Sequence, residues 1–201
     1  MNSHQEAELQ FWRNTFRSYP TAEAYVGVRQ NDFKEYRAFV PEILHESGNG
    51  LDLACGLVSV FEGNGGPANI WAVDALLNEY DGIYRPVASG IHYQQADGEN
   101  LSVFPEGFFD FVWCYNAMDH TPNPVMMANE IRRVLKPGGR LYFYVNFDRP
   151  PLAPAHYALW DKRRVDEMLS DGFHLRRATV AWSETWSKYV YVALYERGEQ
   201  R

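Results

Sequence analysis

Two cysteines, Cys55 and Cys114, are all the thiols in this 201-residue chain. That is too few for a disulfide framework, which excludes the small stapled secreted folds and leads us to expect a reducing, cytoplasmic compartment. Long apolar runs are missing too. The longest, residues 189–195, falls far short of the ~20 residues a helix needs to cross a bilayer, so no membrane association is expected. The opening Met1-Asn2-Ser3-His4-Gln5-Glu6 has none of the apolar core of a secretory signal. Positive charge is scarce: 19 Lys and Arg against 26 Asp and Glu give a formal net charge of −7. Nucleic-acid backbones are bound by clustered cations, so no nucleic-acid partner is expected. No repeat, low-complexity tract or linker divides the chain. What is present is core material, 46% hydrophobic and 15% aromatic. That is too apolar for disorder and of a length suited to one domain, residues 1–201.

Within that domain the patterning changes near residue 48. Residues 1–47 read as helical and are expected to form a lid. Ser3-His4-Gln5-Glu6 has the form of a capping box, and Leu9, Trp12 and Phe16 follow at helical spacing. A second helix is expected from near Asp32, with Phe33, Tyr36 and Val40 on one face and Pro41 kinking or restarting it. Residues 48–201 alternate. Short apolar runs at 51–54, 70–73, 92–96, 108–115 and 141–147 are separated by candidate helices. The clearest is 123–135, with Asn123 as cap and Pro124 at the first helical position, stopped by Lys136-Pro137-Gly138-Gly139. Another is expected at about 155–170, ending at Asp171-Gly172. Alternation of this kind means βαβ units around a parallel sheet. The final runs, 173–182 and 187–196, have no room for a crossover helix and must pair as an antiparallel hairpin. The expected fold is α/β, with seven strands, the last reversed.

In such a sheet, ligands sit beyond the carboxyl ends of the strands. After the first strand comes Asp52-Leu53-Ala54-Cys55-Gly56-Leu57-Val58-Ser59, where small residues let a ligand approach the backbone. Asp74 ends the second strand, where a carboxylate can accept from both hydroxyls of a ribose. Ala75 and Leu76 follow it; Asp97-Gly98-Glu99 follows the third strand, and Tyr115-Asn116 the fourth. Together these describe a pocket for an adenosine-bearing ligand. A dinucleotide fold wants G-x-G-x-x-G, but only Gly56 of the three glycines is present. A ligand with no phosphate to cradle, S-adenosyl-L-methionine, suits the sequence better.

The chain resembles the class I S-adenosylmethionine-dependent methyltransferases of type 11. The likeness rests on Leu51-Asp52-Leu53-Ala54-Cys55-Gly56, Val73-Asp74, Ala96-Asp97-Gly98-Glu99, Phe109-Asp110-Phe111-Val112 and Glu130 through Leu135 into Lys136-Pro137-Gly138-Gly139. It implies a Rossmann-like three-layer sandwich. It also implies that Ala54 to Gly56 line the methionine moiety, that Asp74 holds the ribose and that Asp97 with Gly98 contacts adenine. Val58 stands where the family has its third glycine, and a branched side chain there is expected to narrow the pocket or alter the helix start. A narrower likeness, to methyltransferases of polysaccharide and small-molecule biosynthesis, rests on Cys55-Gly56-Leu57-Val58-Ser59 and Asn116-Ala117-Met118-Asp119-His120.

The expected reaction is methyl transfer to a small molecule, a hydroxyl on a sugar or natural-product intermediate. Such an acceptor loses a proton as the bond forms, so a general base helps by ~10²–10⁴-fold. His120, just past the fourth strand, is the candidate, since an imidazole titrates near neutral pH. His92 and His156 are second-line candidates, both expected to be structural or rim residues. The six histidines are scattered, so no metal is expected. Trp12, Tyr19 and Tyr25 either stack on the acceptor or pack the first helices, and the Pro-rich segment 148–154 is expected to form a rim. Cys55 and Cys114 are expected to be packing residues, with a strained bridge between them as the alternative. The rival reading of the whole is a non-catalytic adenosine-ligand-binding protein or subunit.

Overall fold

Parallel strands covered on both faces must be apolar nearly throughout, and the short runs of this chain take that role. In a computed structural model, residues 2–62, 69–83, 90–147, 155–184 and 187–199 are described. Strands β1 (Asn49–Leu53), β2 (Asn69–Asp74), β3 (Ile91–Gln95), β4 (Phe109–Tyr115), β5 (Leu135–Asn146), β6 (Phe173–Ser183) and β7 (Lys188–Arg197) form one sheet. Its order is β3-β2-β1-β4-β5-β7-β6. The first five strands pair in parallel, and β7 runs antiparallel to both β5 and β6.

The period of two along each strand divides its side chains between the two faces. Leu51, Val112, Cys114, Leu141 and Phe143 pack beneath helices α3 (Pro124–Val134) and α4 (Lys162–Leu169), whose Ile131, Val134, Val165 and Leu169 complete that layer. On the other face Phe111, Trp113, Tyr142 and Tyr144 meet Phe33 and Tyr36 of α2 (Ala22–Arg37) and Ile43 of a 3₁₀ turn at Pro41–His45. That is the three-layer sandwich expected. A third cluster joins Leu9 of α1 (Ser3–Arg17) and Tyr25 of α2 to Leu57, Val58 and Leu76 at the strand ends.

The Phe-Asp-x-Val and Lys-Pro-Gly-Gly motifs acquire a reason here. The Asp110 carboxylate accepts from Asn49 N–H at 2.8 Å and from Lys136 Nζ at 2.6 Å, tying β1, β4 and β5. A side chain at Gly139 would meet the carbonyls of Lys136 and Asp110 within about 3.0 Å, so only glycine lets β5 pass. Lys136-Pro137-Gly138-Gly139 is thus a bulge inside an extended β5, where Phe109 pairs with Leu135 but Phe111 with Arg140.

Besides the fifth strand, which begins at Leu135 and not at 141, three helix boundaries differ from expectation. The first helix is capped one residue earlier, by a reciprocal Asn2–Gln5 box in place of Ser3–Glu6. Helix α2 begins at Ala22 on the cap Thr21, ten residues before Asp32, because its inward stripe includes the buried Arg29 and Asp32, paired at 3.2 Å. A polar stripe hides a helix from hydrophobic periodicity. Helix α4 starts at Lys162, where Asp161 caps it, shorter than 155–170.

Candidate active site

The chain folds so that the carboxyl ends of β1, β2, β3 and β4 open into a cavity of about 660 Å³, roofed by α1. That lies within the ~300–1,000 Å³ of small-molecule sites. Its floor is strained backbone. Ala54, Gly56 and Asn116 all adopt positive φ, at 57°, 64° and 49°. A side chain at Gly56 would press on the Trp12 ring at 3.0 Å, so the turn admits glycine on both counts.

Most of the residues expected at the ligand stand on this wall: Ala54, Cys55, Gly56, Asp74, Ala75, Leu76, Asp97, Gly98, Tyr115, Asn116 and His120. Asp74 is the hub. Its carboxylate accepts from Gly56 N–H at 3.0 Å and Leu76 N–H at 2.8 Å. Burial pushes its pKa up to about 6 against the pull of those two donors. Asp97 accepts from Glu99 N–H at 2.9 Å, and a side chain at Gly98 would strike Met127.

Two expected ligand contacts are corrected. Asp52 lies beneath the turn, where it accepts from Ser59 Oγ at 2.6 Å and Val60 N–H at 3.1 Å. It braces the loop and does not reach the cavity. Glu99 turns toward the loop after His120, accepting from Thr121 Oγ1 and, at 2.7 Å, from Asn123 N–H. Both are ordinary uses of a carboxylate beside exposed N–H groups, and strand-end position alone does not separate them from Asp74. Of the two effects expected of Val58, it does not line the cavity but is fully buried with Leu9 and Tyr25, and the described residues after β1 form turns in place of a helix start. Tyr25 and Tyr19 pack edge-on at 5.4 Å in the same cluster, so of the three aromatics Trp12 alone lines the cavity. Cys55 and Cys114 are free and buried, and burial raises both thiols, so they are inert packing groups. The Pro-rich rim, 148–154, lies outside the described residues.

The far end of the cavity has a different chemistry. His120 Nδ1 stands 3.0 Å from Glu8 Oε2 of α1, whose other oxygen accepts from Trp12 Nε1 at 2.6 Å. His120 Nε2 lies 3.8 Å from Asp119 Oδ1 and 3.4 Å from Asn116 Nδ2. His156 Nδ1 lies 3.4 Å from Asp119 Oδ2. Burial opposes a charge on His120, but Asp119 and Glu8 outweigh it and lift the pKa to about 9. At neutral pH, with nothing bound, the ring is therefore an imidazolium and not the near-neutral base expected. His92 is remote, stacked on Trp71.

Sequence reading missed Glu8, Arg29, Met127 and Lys188, all on the wall. Arg29 Nε and Asn116 Oδ1 are buried there without a hydrogen-bond partner among the described residues. An acidic hub, a narrow glycine turn and a buried guanidinium with a donor to spare fit a nucleoside that carries an amino-acid carboxylate. Arg29 had one signal, a cation spaced four residues after Tyr25 and before Phe33 on an aromatic stripe.

Fold and site together define an α/β protein with a cavity at its strand ends whose lining suits a nucleoside-type ligand. Comparison narrows the class: residues 51–143 match the methyltransferase domain family. Over 136 residues the chain is 29% identical to the thiol S-methyltransferase TMT1B of Rattus norvegicus, covering 64% of this chain and 55% of that protein. Over 100 residues it is 29% identical to the ubiquinone biosynthesis O-methyltransferase of Pseudomonas aeruginosa, covering 49% and 42%. The chain thus spans about half the length of these relatives. In fold it is similar to an S-adenosylmethionine-dependent methyltransferase from Mesorhizobium loti, with a TM-score of 0.62 at 16% identity over 83% of this chain and 97% of that one. Just under half of the chain, residues 51–143, is thus similar to a methyltransferase domain, and the fold is that of the Mesorhizobium loti protein. Among the described residues no helix is long and apolar enough to cross a membrane.

Proposed function

We propose that the protein moves a methyl group from S-adenosyl-L-methionine to a small molecule, at a hydroxyl of a sugar or natural-product intermediate. The observation that carries this reading is the shared wall: Asp74, Asp97 and the Ala54–Gly56 turn face one cavity, with the spare donor of Arg29 beside them. Bound S-adenosylmethionine supplies a methyl group already activated by its sulfonium. Asp74 would hold the ribose, Asp97 with the Gly98 backbone the adenine, and Arg29 the carboxylate. The chain's chief contribution to rate is then orientation in a site closed by α1, worth up to ~7–11 kcal/mol in well-aligned cases. The acceptor end sets His120 and His156 beside Glu8 and Asp119, polar groups that can orient a hydroxyl. A thiol acceptor is the second reading, supported by the likeness to the rat thiol S-methyltransferase.

Val58 belongs to the buried cluster with Leu9 and Tyr25 and is not among the cavity's lining residues, which lends no support to a non-catalytic binder. Calorimetry tests the cofactor: one equivalent of S-adenosylhomocysteine binds and NADH does not. NADH binding in preference would overturn the assignment. Turnover tests the enzyme: a screen of sugar, phenol and thiol acceptors yields a methylated product that requires S-adenosylmethionine, whereas tight cofactor binding without any product favours the binder.

A further inference from the structure

The six histidines are scattered in sequence, yet the fold brings His120 and His156 onto one carboxylate, that of Asp119. Asp119 and His120 belong to a 3₁₀ turn at Met118–His120, directly after β4. His156 arrives from beyond β5, and Tyr157 N–H donates to the Asp119 carbonyl at 2.7 Å, fixing its segment to that turn. One ligand-type atom from each of the three side chains lies within 4.8 Å of the other two. Asp119 is 1% exposed and His156 9%.

We propose that Asp119, His120 and His156 bind a divalent transition cation of the zinc class at the acceptor end of the cavity. Asp119 Oδ2 stands 3.4 Å from His156 Nδ1, and Asp119 Oδ1 stands 3.8 Å from His120 Nε2. Around a cation with bonds of ~2.0–2.1 Å, tetrahedral ligand atoms stand roughly 3.3 Å apart. Each Asp119 oxygen thus faces one imidazole at a spacing near that of ligands sharing an ion.

A second observation concerns the outer nitrogen: with Nε2 facing Asp119, His120 Nδ1 has the Glu8 carboxylate behind it, Oε2 at 3.0 Å. A carboxylate behind the outer nitrogen of a ligating imidazole is the usual support of a metal-bound histidine. Two imidazoles and one carboxylate select zinc, iron, manganese or nickel over magnesium and calcium, which prefer all-oxygen shells. Three protein ligands leave a position open. Because His120 and His156 both line the cavity, that position faces the acceptor. It would take a hydroxyl or thiol and lower its pKa; this last step rests on the proposed function, whereas cation binding itself does not.

The test needs no acceptor. Protein dialysed against EDTA is titrated with zinc chloride by calorimetry, and with cobalt(II) followed by visible absorption. The expected result is one ion per chain, with cobalt bands of a low-coordinate site. Asp119→Asn and His156→Gln each weaken binding by at least about tenfold, while His92→Gln leaves it unchanged. Affinity for S-adenosylhomocysteine, measured on the same samples, shows that the variants are folded and judges the methyltransferase reading separately. If Asp119→Asn does not fold, His156→Gln alone decides. Absence of stoichiometric binding to the unaltered protein, or undiminished binding in the folded variants, overturns the proposal.

Discussion

The two ends of the cavity are built in different ways. The cofactor end is local: the Ala54–Gly56 turn, Asp74 and Asp97 all lie within three residues of a strand terminus, and Asp74 accepts from backbone N–H groups. The acceptor end is assembled from distant parts: Glu8 from the first helix, Asp119 and His120 from the turn after β4, and His156 from beyond β5. A site made by strand ends inherits its geometry from the sheet. One made across segments exists only while α1 and the 155–157 segment are docked.

Replacing the hub should give the largest effect. Asp74→Ala removes the carboxylate that anchors both Gly56 and Leu76 and that would hold the ribose. Affinity for S-adenosylhomocysteine is expected to fall about 100-fold, roughly 2.7 kcal/mol, with a lowered melting temperature from the freed loop. His120→Ala, at the other end, should leave that affinity within about threefold. Equal losses in calorimetry would show that the two ends are not separable.

The same contrast appears in pH. Burial pushes Asp74 up to about 6. Ribose hydroxyls donate to the carboxylate form, so S-adenosylhomocysteine binding should be level above pH 7 and weaken below about 6, by up to about tenfold per unit as binding takes up the cost of ionising the acid. For stability the sign is opposite. Because the folded pKa lies above that of the unfolded chain, the fold holds more protons between about pH 4 and 6, and Asp74 makes stability decline as pH rises through that window. Asp52, also raised to about 6 by burial, adds to the decline in stability and not to the binding profile. Titrations of affinity and of melting temperature should therefore slope in opposite directions between pH 4 and 6. A binding curve flat through pH 6 would remove Asp74 from the cofactor contact.

Asp52 separates a strand-end carboxylate that braces from one that binds. Asp52→Asn can keep the one oxygen that accepts from both Ser59 Oγ and Val60 N–H, but it loses the charge that strengthens both bonds. It should cost about 1–2 kcal/mol of stability while altering cofactor affinity less than tenfold. A larger loss of affinity would return Asp52 to the ligand.

How much of this could be read from the sequence follows the same division. The seven strands, the reversed last one, and the placement of Asp74, Asp97 and Gly56 were legible because apolar runs and the residues after them sit at fixed offsets from strand ends. Asp52 and Glu99 obeyed the same rule yet turned to neighbouring loops, since a carboxylate near free N–H groups has more than one use. Arg29 and Asp32 were hidden because paired charges inside a helix stripe break its hydrophobic period. The meeting of His120 with His156 and Glu8 depends on tertiary packing alone. No spacing rule links residues from three segments, and the expectation of no metal had rested on that lack of spacing.

The smallest expected effect concerns the roof. Glu8 joins α1 to the core through His120 and steadies Trp12 within its own helix. Both members of the Glu8–His120 pair keep about a fifth of their side-chain surface exposed, which puts its worth near the ~1 kcal/mol upper end for accessible ion pairs. Glu8→Ala should then lower the melting temperature by only about 2–4 °C. Leu9 and Tyr25 still bury against Leu57, Val58 and Leu76, so α1 remains attached. Hydrogen exchange should quicken within residues 3–17 and remain unchanged in β1, β2 and β4. Accelerated exchange at the ends of β1 and β2 would show that the cofactor end also depends on the docked helix, and the contrast between a sheet-borne and an assembled half would then fail.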